Sequence, residues 1–240
     1  MNFYNLGSYI GENLSYNFWM ILLLIVPMIL GLIVQLALKA TYSKYSKVRS
    51  ETGLTGAAAA RAILDGAGLR HVPIERVAGD LTDHFDPSAN VLRLSEGVYD
   101  SPSVAAIGVA AHECGHAIQY SENYAPMKLR GALVKVTNFS SSASSVLVLL
   151  GLIFSISFLA WIGLGLFCVV AFFQLVTLPV EFDASRRAVK ILGGRMQPRE
   201  LSGVKKVLTA AAMTYVASFL TAVFQILRIL LILRGGRSRK

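Results

Sequence analysis

Cysteine is all but missing from this chain. Cys114 and Cys168 are its two cysteines among 240 residues. One lies inside a histidine-bearing motif and the other inside an apolar run, so no disulfide framework is implied. Charge is scarce too: Asp, Glu, Lys and Arg make up 15% of the chain against 54% hydrophobic residues, with a mean hydropathy of +0.56. That balance excludes an ordinary soluble domain and leaves a membrane protein with a modest extramembrane part. Acidic residues are the scarcer sign, 14 against 23 basic, for a net charge of +9. The surplus does not mark a nucleic-acid-binding protein, because the basic residues flank apolar runs. Membrane orientation and anionic lipid account for them there. No repeat period of 20–50 residues stands out.

Residues 1–17 contain no Lys or Arg and no small-residue cleavage site. They read as an external N-terminus rather than a removed signal peptide. Phe18 to Leu38 is an apolar run without a charged residue, long enough to anchor the chain across a bilayer core of ~30 Å. Lys39, Lys44, Lys47 and Arg49 follow at once. The asymmetry predicts the N-terminus outside and residue 40 onward in the cytoplasm.

A second apolar stretch, Val146 to Val180, would run ~52 Å as one helix, more than a hydrocarbon core needs. Trp161, Gly163 and Gly165 near its middle predict an interfacial turn, hence a hairpin over 141–180 with crossings of 141–160 and 162–180. The small polar residues just before it suit close helix packing. Two crossings return the chain to the side it left, where 181–206 reads as a basic helical segment opening on Glu181. Val207 to Leu233 is apolar again but carries a stripe of Thr214, Ser218, Thr221, Gln225 and Arg228. Polar groups on such a helix face protein or water. It is either interfacial or transmembrane; the basic tail 234–240 favours a helix lying along the inner surface.

The catalytic region spans 39–140. Residues 53–70 predict an amphipathic helix with Thr55 as N-cap and Gly68 as C-cap. Val72–Val77 and Asn90–Leu94 predict short strands, separated by a stretch over 79–87 dense in turn formers. The Asn90–Leu94 strand is expected to offer its edge to a substrate strand. His84, in the turn stretch, is a candidate polar group near the site, although a turn histidine bonding its own backbone is the stronger reading.

The residues Ala111-His112-Glu113-Cys114-Gly115-His116 form an HExxH on a predicted helix over 103–120. Ser101 and Ser103 are capping candidates, and Pro102 sits at the helix start. Residues four apart share one helix face, so His112 and His116 can address one metal ion. Zinc accepts imidazole nitrogen and, in catalytic sites, keeps a position open for water. Glu113 is placed to take that water's proton. The bland alternative is two satisfied histidines on a core helix, but a buried Glu between them would then carry an uncompensated charge. Two histidines need a third protein ligand, and Glu181, returned to the same side by the hairpin, is the best candidate. Its own alternative is an exposed carboxylate at a helix start. Tyr215 is a candidate for oxyanion support, against a plainer role as an interfacial aromatic.

Five blocks carry a family resemblance: TGxxxARxIL within 52–64, DHFDP at 83–87, RLSEGVY at 93–99, AAHECGHAIQ at 110–119 and LPVEFDASRRA at 178–188. Through them the chain resembles the YugP-type neutral zinc metallopeptidases of bacterial membranes. The resemblance implies zinc at His112 and His116 with Glu113 catalytic. A more distant likeness to the HtpX and CAAX-prenyl proteases implies Glu181 as third ligand. Those enzymes usually carry Asp four residues after that Glu, supporting a zinc histidine. This chain has Ser185 there, so Asp183 and Ser185 are both candidates for the group that supports a zinc histidine from behind.

The expected fold is therefore mainly α: multi-pass membrane helices with a small α+β zincin-like catalytic domain. The expected function is a zinc endopeptidase of the cell membrane, its site at the cytoplasmic face. It holds one Zn2+ per chain and acts on a membrane-associated protein or peptide. The rivals are an intramembrane site-2-type protease, for which Leu64-Asp65-Gly66 imitates a second motif, and a metal-bound scaffold without turnover.

Overall fold

The computed structural model describes the backbone of residues 3–235 and the side chains of 16–234. The basic tail beyond that point, and the side chains of the first fifteen residues, lie outside the described residues. The elements run α1 (Phe3–Tyr45), α2 (Gly56–Gly66), β1 (Ile74–Val77), β2 (His84–Asp86), β3 (Val91–Ser95), α3 (Glu96–Tyr99), α4 (Val104–Ser121), α5 (Ala125–Ile153), α6 (Ser157–Leu192) and α7 (Pro198–Gly235). They fall into two compact units. One draws on α1 up to Ile33, Leu133–Leu175 and α7 from Val216; the other comprises Val34–Ala132 and Val176–Tyr215.

Among its described residues the first unit is helical apart from one turn. By length and composition, α1, α5, α6 and α7 are each capable of crossing a membrane. Large apolar side chains such as Phe18, Ile21, Met28 and Leu32 stand exposed on α1, as lipid-facing residues do and water-facing ones rarely do in a continuous band. The hairpin between α5 and α6 turns at Phe154–Ile156, where Ser155 takes a φ of 55° and Ile156 N donates to the Gly151 carbonyl at 2.8 Å. The turn expected at Trp161, Gly163 and Gly165 is not there; all three lie inside α6. Glycine signals both turns and close packing, and here packing wins. A Cβ at Gly163 would stand 2.8 Å from the Ser144 carbonyl oxygen of α5.

The second unit has a three-stranded sheet in the order β1-β3-β2, with β1 parallel and β2 antiparallel to β3. β3 is central and both its edges are paired, so the Asn90–Leu94 region cannot offer an edge to a substrate. The free edges belong to β1 and β2. The stretch 79–87, read as turn, holds the strand β2. Its ends are the turn formers that hid it. Asp86 accepts from Ser88 N at 2.9 Å and Ser88 Oγ at 2.6 Å, and Asn90 has a φ of 51°. The Ser88 hydroxyl, then the Arg93 guanidinium, hold the Asp86 carboxyl well below the usual carboxylate range. Arg93 binds Asp86 at 2.7 Å and Glu75 at 3.1 Å, one side chain bridging all three strands. Asp83 accepts from Ser95 N at 2.7 Å. The DHFDP and RLSEGVY blocks therefore interlock.

Helix α2 begins as expected, with Thr55 Oγ1 accepting from Ala58 N at 3.2 Å. It is shorter than 53–70. Ala67 is its C-cap and Gly68, at φ 75°, follows the cap, with Leu69 N returning to the Leu64 carbonyl at 2.8 Å. Its Ala59, Ala60, Ile63 and Leu64 face joins Leu92 and Leu94 of β3 and Ile107, Ala110 and Cys114 of α4 in one core. Fully burying such aliphatic side chains stabilises by ~1.5–3 kcal/mol each. The one-turn helix α3 has no counterpart in the sequence reading.

Candidate metal centre

Helix α4 starts at Ser103, whose side chain accepts from Ala106 N at 3.2 Å. Ser101 does not cap; its hydroxyl donates to Ser103 Oγ at 3.0 Å. Pro102 precedes the cap, and its carbonyl accepts from Ser50 N at 2.9 Å. The small residues that follow let α4 sink into the core, and nearly all of it is buried. Gly115 sets the crossing with α6: a Cβ there would stand 2.8 Å from the Ala184 carbonyl oxygen. His112 and His116 flank Gly115, and Glu181 and Ser185 flank Ala184 at the same offsets. One backbone approach thus brings both pairs together.

Glu181 Oε2 is 3.3 Å from His112 Nε2 and 3.6 Å from His116 Nε2. Glu181 is 2% exposed and sits in mid-helix, so the exposed helix-start alternative does not hold. Ligand atoms of His112, Glu113 and His116 lie within 4.8 Å of one another. The outward-facing nitrogens are also engaged. His112 Nδ1 is 3.1 Å from Ser185 Oγ, and His116 Nδ1 is 3.0 Å from Gln119 Oε1. An amide oxygen only accepts, so His116 Nδ1 carries a proton and Nε2 is the nitrogen turned to Glu181 and left for a metal. Gln119 is fixed in turn, donating to the Val180 carbonyl at 2.8 Å and to Asp183 Oδ2 at 2.9 Å. Asp183 also accepts from Arg187 Nε at 2.6 Å, and Arg187 reaches Glu122 at 2.7 Å.

Burial raises the Glu113 carboxyl above its usual range. Its Oε2 accepts from Phe85 N of β2 at 3.2 Å, a contact that points this amide away from β3. Burial pushes the His116 imidazole down, but hydrogen bonding to Glu181 and the neighbouring Glu113 outweigh it and the net shift is upward. A divalent cation would take the place of that proton. The donor set fits zinc: two imidazoles, a carboxylate from a second helix and tied outer nitrogens. Cys114 is no part of it. Its thiol faces the Ala60 carbonyl at 3.6 Å, and burial drives its pKa far up.

A cavity of about 180 Å³ opens beside these groups. His112, Glu113, Glu181, Ser185 and Tyr215 share its wall with apolar side chains such as Leu208. Tyr215 interacts with the Glu181 carboxylate. Arg130 Nη2 stands 3.8 Å from Glu181 Oε1. His84 is not brought in; it is exposed and its Nδ1 pairs with the Thr82 carbonyl at 2.8 Å. Asp183 touches neither histidine and works through Gln119. Sequence reasoning missed Gln119, Arg130 and the Phe85 amide. Gln119 alone left a signal, three residues after a motif histidine on a buried helix. Nothing distinguished Arg130 from a solvated basic residue.

Residues 20–234 match the model of the family described as "Putative neutral zinc metallopeptidase". The chain belongs to this family. Among curated proteins, "Putative membrane protease YugP" of Bacillus subtilis (strain 168) is 48% identical over 205 residues, covering 85% of this chain and 91% of that one. No solved structure matches. The matched residues 20–234 include His112, Glu113, His116 and Glu181. The chain is thus a membrane member of its family, with a metal centre suited to zinc.

Proposed function

We propose that the protein is a zinc endopeptidase that holds one metal ion per chain through His112, His116 and Glu181 and uses Glu113 as general acid and base. The observation that carries this reading is the meeting of two imidazoles and two carboxylates, of which His112, Glu113 and Glu181 line a cavity. When bound, zinc supplies a Lewis acid for the scissile carbonyl and acidifies water. Glu113 takes the proton of the attacking water and passes it to the leaving amine. The Phe85 amide orients its carboxylate. Tyr215 and Arg130, both beside Glu181, are the donors at hand for developing negative charge. Gln119 holds His116 with Nδ1 protonated and Nε2 turned to the metal, Ser185 positions the His112 ring through Nδ1, and Asp183 acts behind Gln119.

The substrate is read as an extended segment of a membrane-associated protein. The apolar wall of the cavity suits an aliphatic side chain of such a segment. Topology follows from charge. Lys39, Lys44, Lys47 and Arg49 after α1 favour an external N-terminus and a cytoplasmic site. We take α7 as a fourth crossing, because its part from Val216 belongs to the same helical unit as the hairpin.

The intramembrane rival loses ground on two observations. Protein rather than lipid buries α4, and Asp65 of the Leu-Asp-Gly pairs with Arg61 at 2.8 Å away from the metal centre. The deciding experiment is metal analysis of the purified chain together with cleavage of an unfolded protein substrate. Zinc-dependent cleavage, lost on chelation and lost in Glu113→Gln with zinc retained, is expected. Stoichiometric zinc without cleavage of any substrate would make it the scaffold instead.

A further inference from the structure

Away from the metal centre, the second unit carries a larger concavity, an open groove of about 580 Å³ between the end of α1 and the start of α7. Lys44, Lys205 and Lys206 line it with the hydroxyls of Thr41, Ser202 and Thr209, and no carboxylate is among its lining residues. None of the three lysines forms an ion pair with a described residue. Lys44 Nζ rests 5.7 Å from the centre of the Tyr45 ring. Three ammonium groups around one groove repel one another until an anion enters.

The floor of the groove is built. A Cβ at Gly203 would stand 2.7 Å from the Tyr45 ring, so the two helices touch there. The groove also sits where polar sequence meets apolar. The run ending at Leu38 stops shortly before Lys44, and the run starting at Val207 begins directly after Lys206. Leu36 lies on the α1 face that leads to Ala40 and Lys44, and it is 57% exposed. A free phosphate would have no use for that apolar approach; a lipid would.

We propose that this groove is the headgroup site of one anionic phospholipid. Lys44, Lys205 and Lys206 hold its phosphodiester, the three hydroxyls add hydrogen bonds, and its acyl chains lie along the Leu36 side of α1. Basic pockets at helix ends bind lipid headgroups by this combination of charge and depth.

The test is native mass spectrometry of the purified full-length chain, with phosphatidylglycerol or phosphatidylcholine added. Wild type should retain one phosphatidylglycerol per chain, at least about tenfold over phosphatidylcholine. The triple variant Lys44→Gln, Lys205→Gln, Lys206→Gln should lose that lipid, and the matching Lys→Arg triple should keep it. Arg70→Gln, Lys128→Gln, Lys190→Gln removes equal charge from exposed positions outside the groove and should also keep it. If the Gln triple does not fold, Thr209→Glu, which leaves every lysine in place, should abolish retention by itself. Equal loss in the control triple, retention in Thr209→Glu, or displacement by inorganic phosphate at the lipid's own concentration would overturn the proposal.

Discussion

His112 and His116 stand one turn apart on α4 and are held by unlike means. His112 has a single hydroxyl behind it, Ser185, and its side chain is 13% exposed. His116 is the more buried and leans on Gln119, which reaches Val180, Asp183, Arg187 and finally Glu122. One support is a contact; the other is a network that also fastens α4 to α6. Removing a member of a buried network strands several polar groups. Removing the Ser185 hydroxyl takes the partner from one nitrogen only. The two imidazoles therefore share a task but not a sensitivity.

The largest expected effect leaves both supports untouched. Glu113→Gln should lower cleavage by at least about 100-fold while zinc content, measured by metal analysis, stays at the wild-type level. Glu181→Ala removes the carboxylate that faces both rings, and equilibrium dialysis should find zinc lost or held far more loosely. Unchanged affinity there would move the third ligand elsewhere. The comparison itself is tested by the next pair. Gln119→Ala should weaken zinc binding by about 10- to 100-fold and Ser185→Ala by clearly less. Equal losses would break the contrast.

Gly115→Ala probes the crossing rather than either support. Forcing a methyl group against the Ala184 backbone should cost about 1–3 kcal/mol of stability, read by thermal or denaturant unfolding in detergent. It should also weaken zinc binding, since both ligand pairs are placed by that approach. The smallest effect belongs to His84→Ala, which should change stability by no more than about 0.5 kcal/mol and leave zinc affinity alone.

Much of the site is legible in the sequence. An HExxH on a helix places its histidines together by the 3.6-residue period, a local property. Glu181 followed from the length of the apolar stretch before it, although its burial in mid-helix did not. The misplaced turn shows where such reasoning stops. Gly163 obeys a packing contact with Ser144 and Val148, and no pattern of neighbours along the chain distinguishes that from a bend. β2 escaped for a similar reason: a three-residue edge strand exists only because β3 lies beside it and Arg93 ties it down.

By itself the sequence determined the class of protein, the helical motif and the kind of metal it suits, because hydropathy, period and donor chemistry act over a few residues. Only the tertiary structure decided which group stands behind each histidine, which strand keeps a free edge and which lysines share a groove. Those outcomes depend on distances between residues far apart in the chain. Such distances are set by how closely two backbones can approach, as Gly115 and Ala184 do.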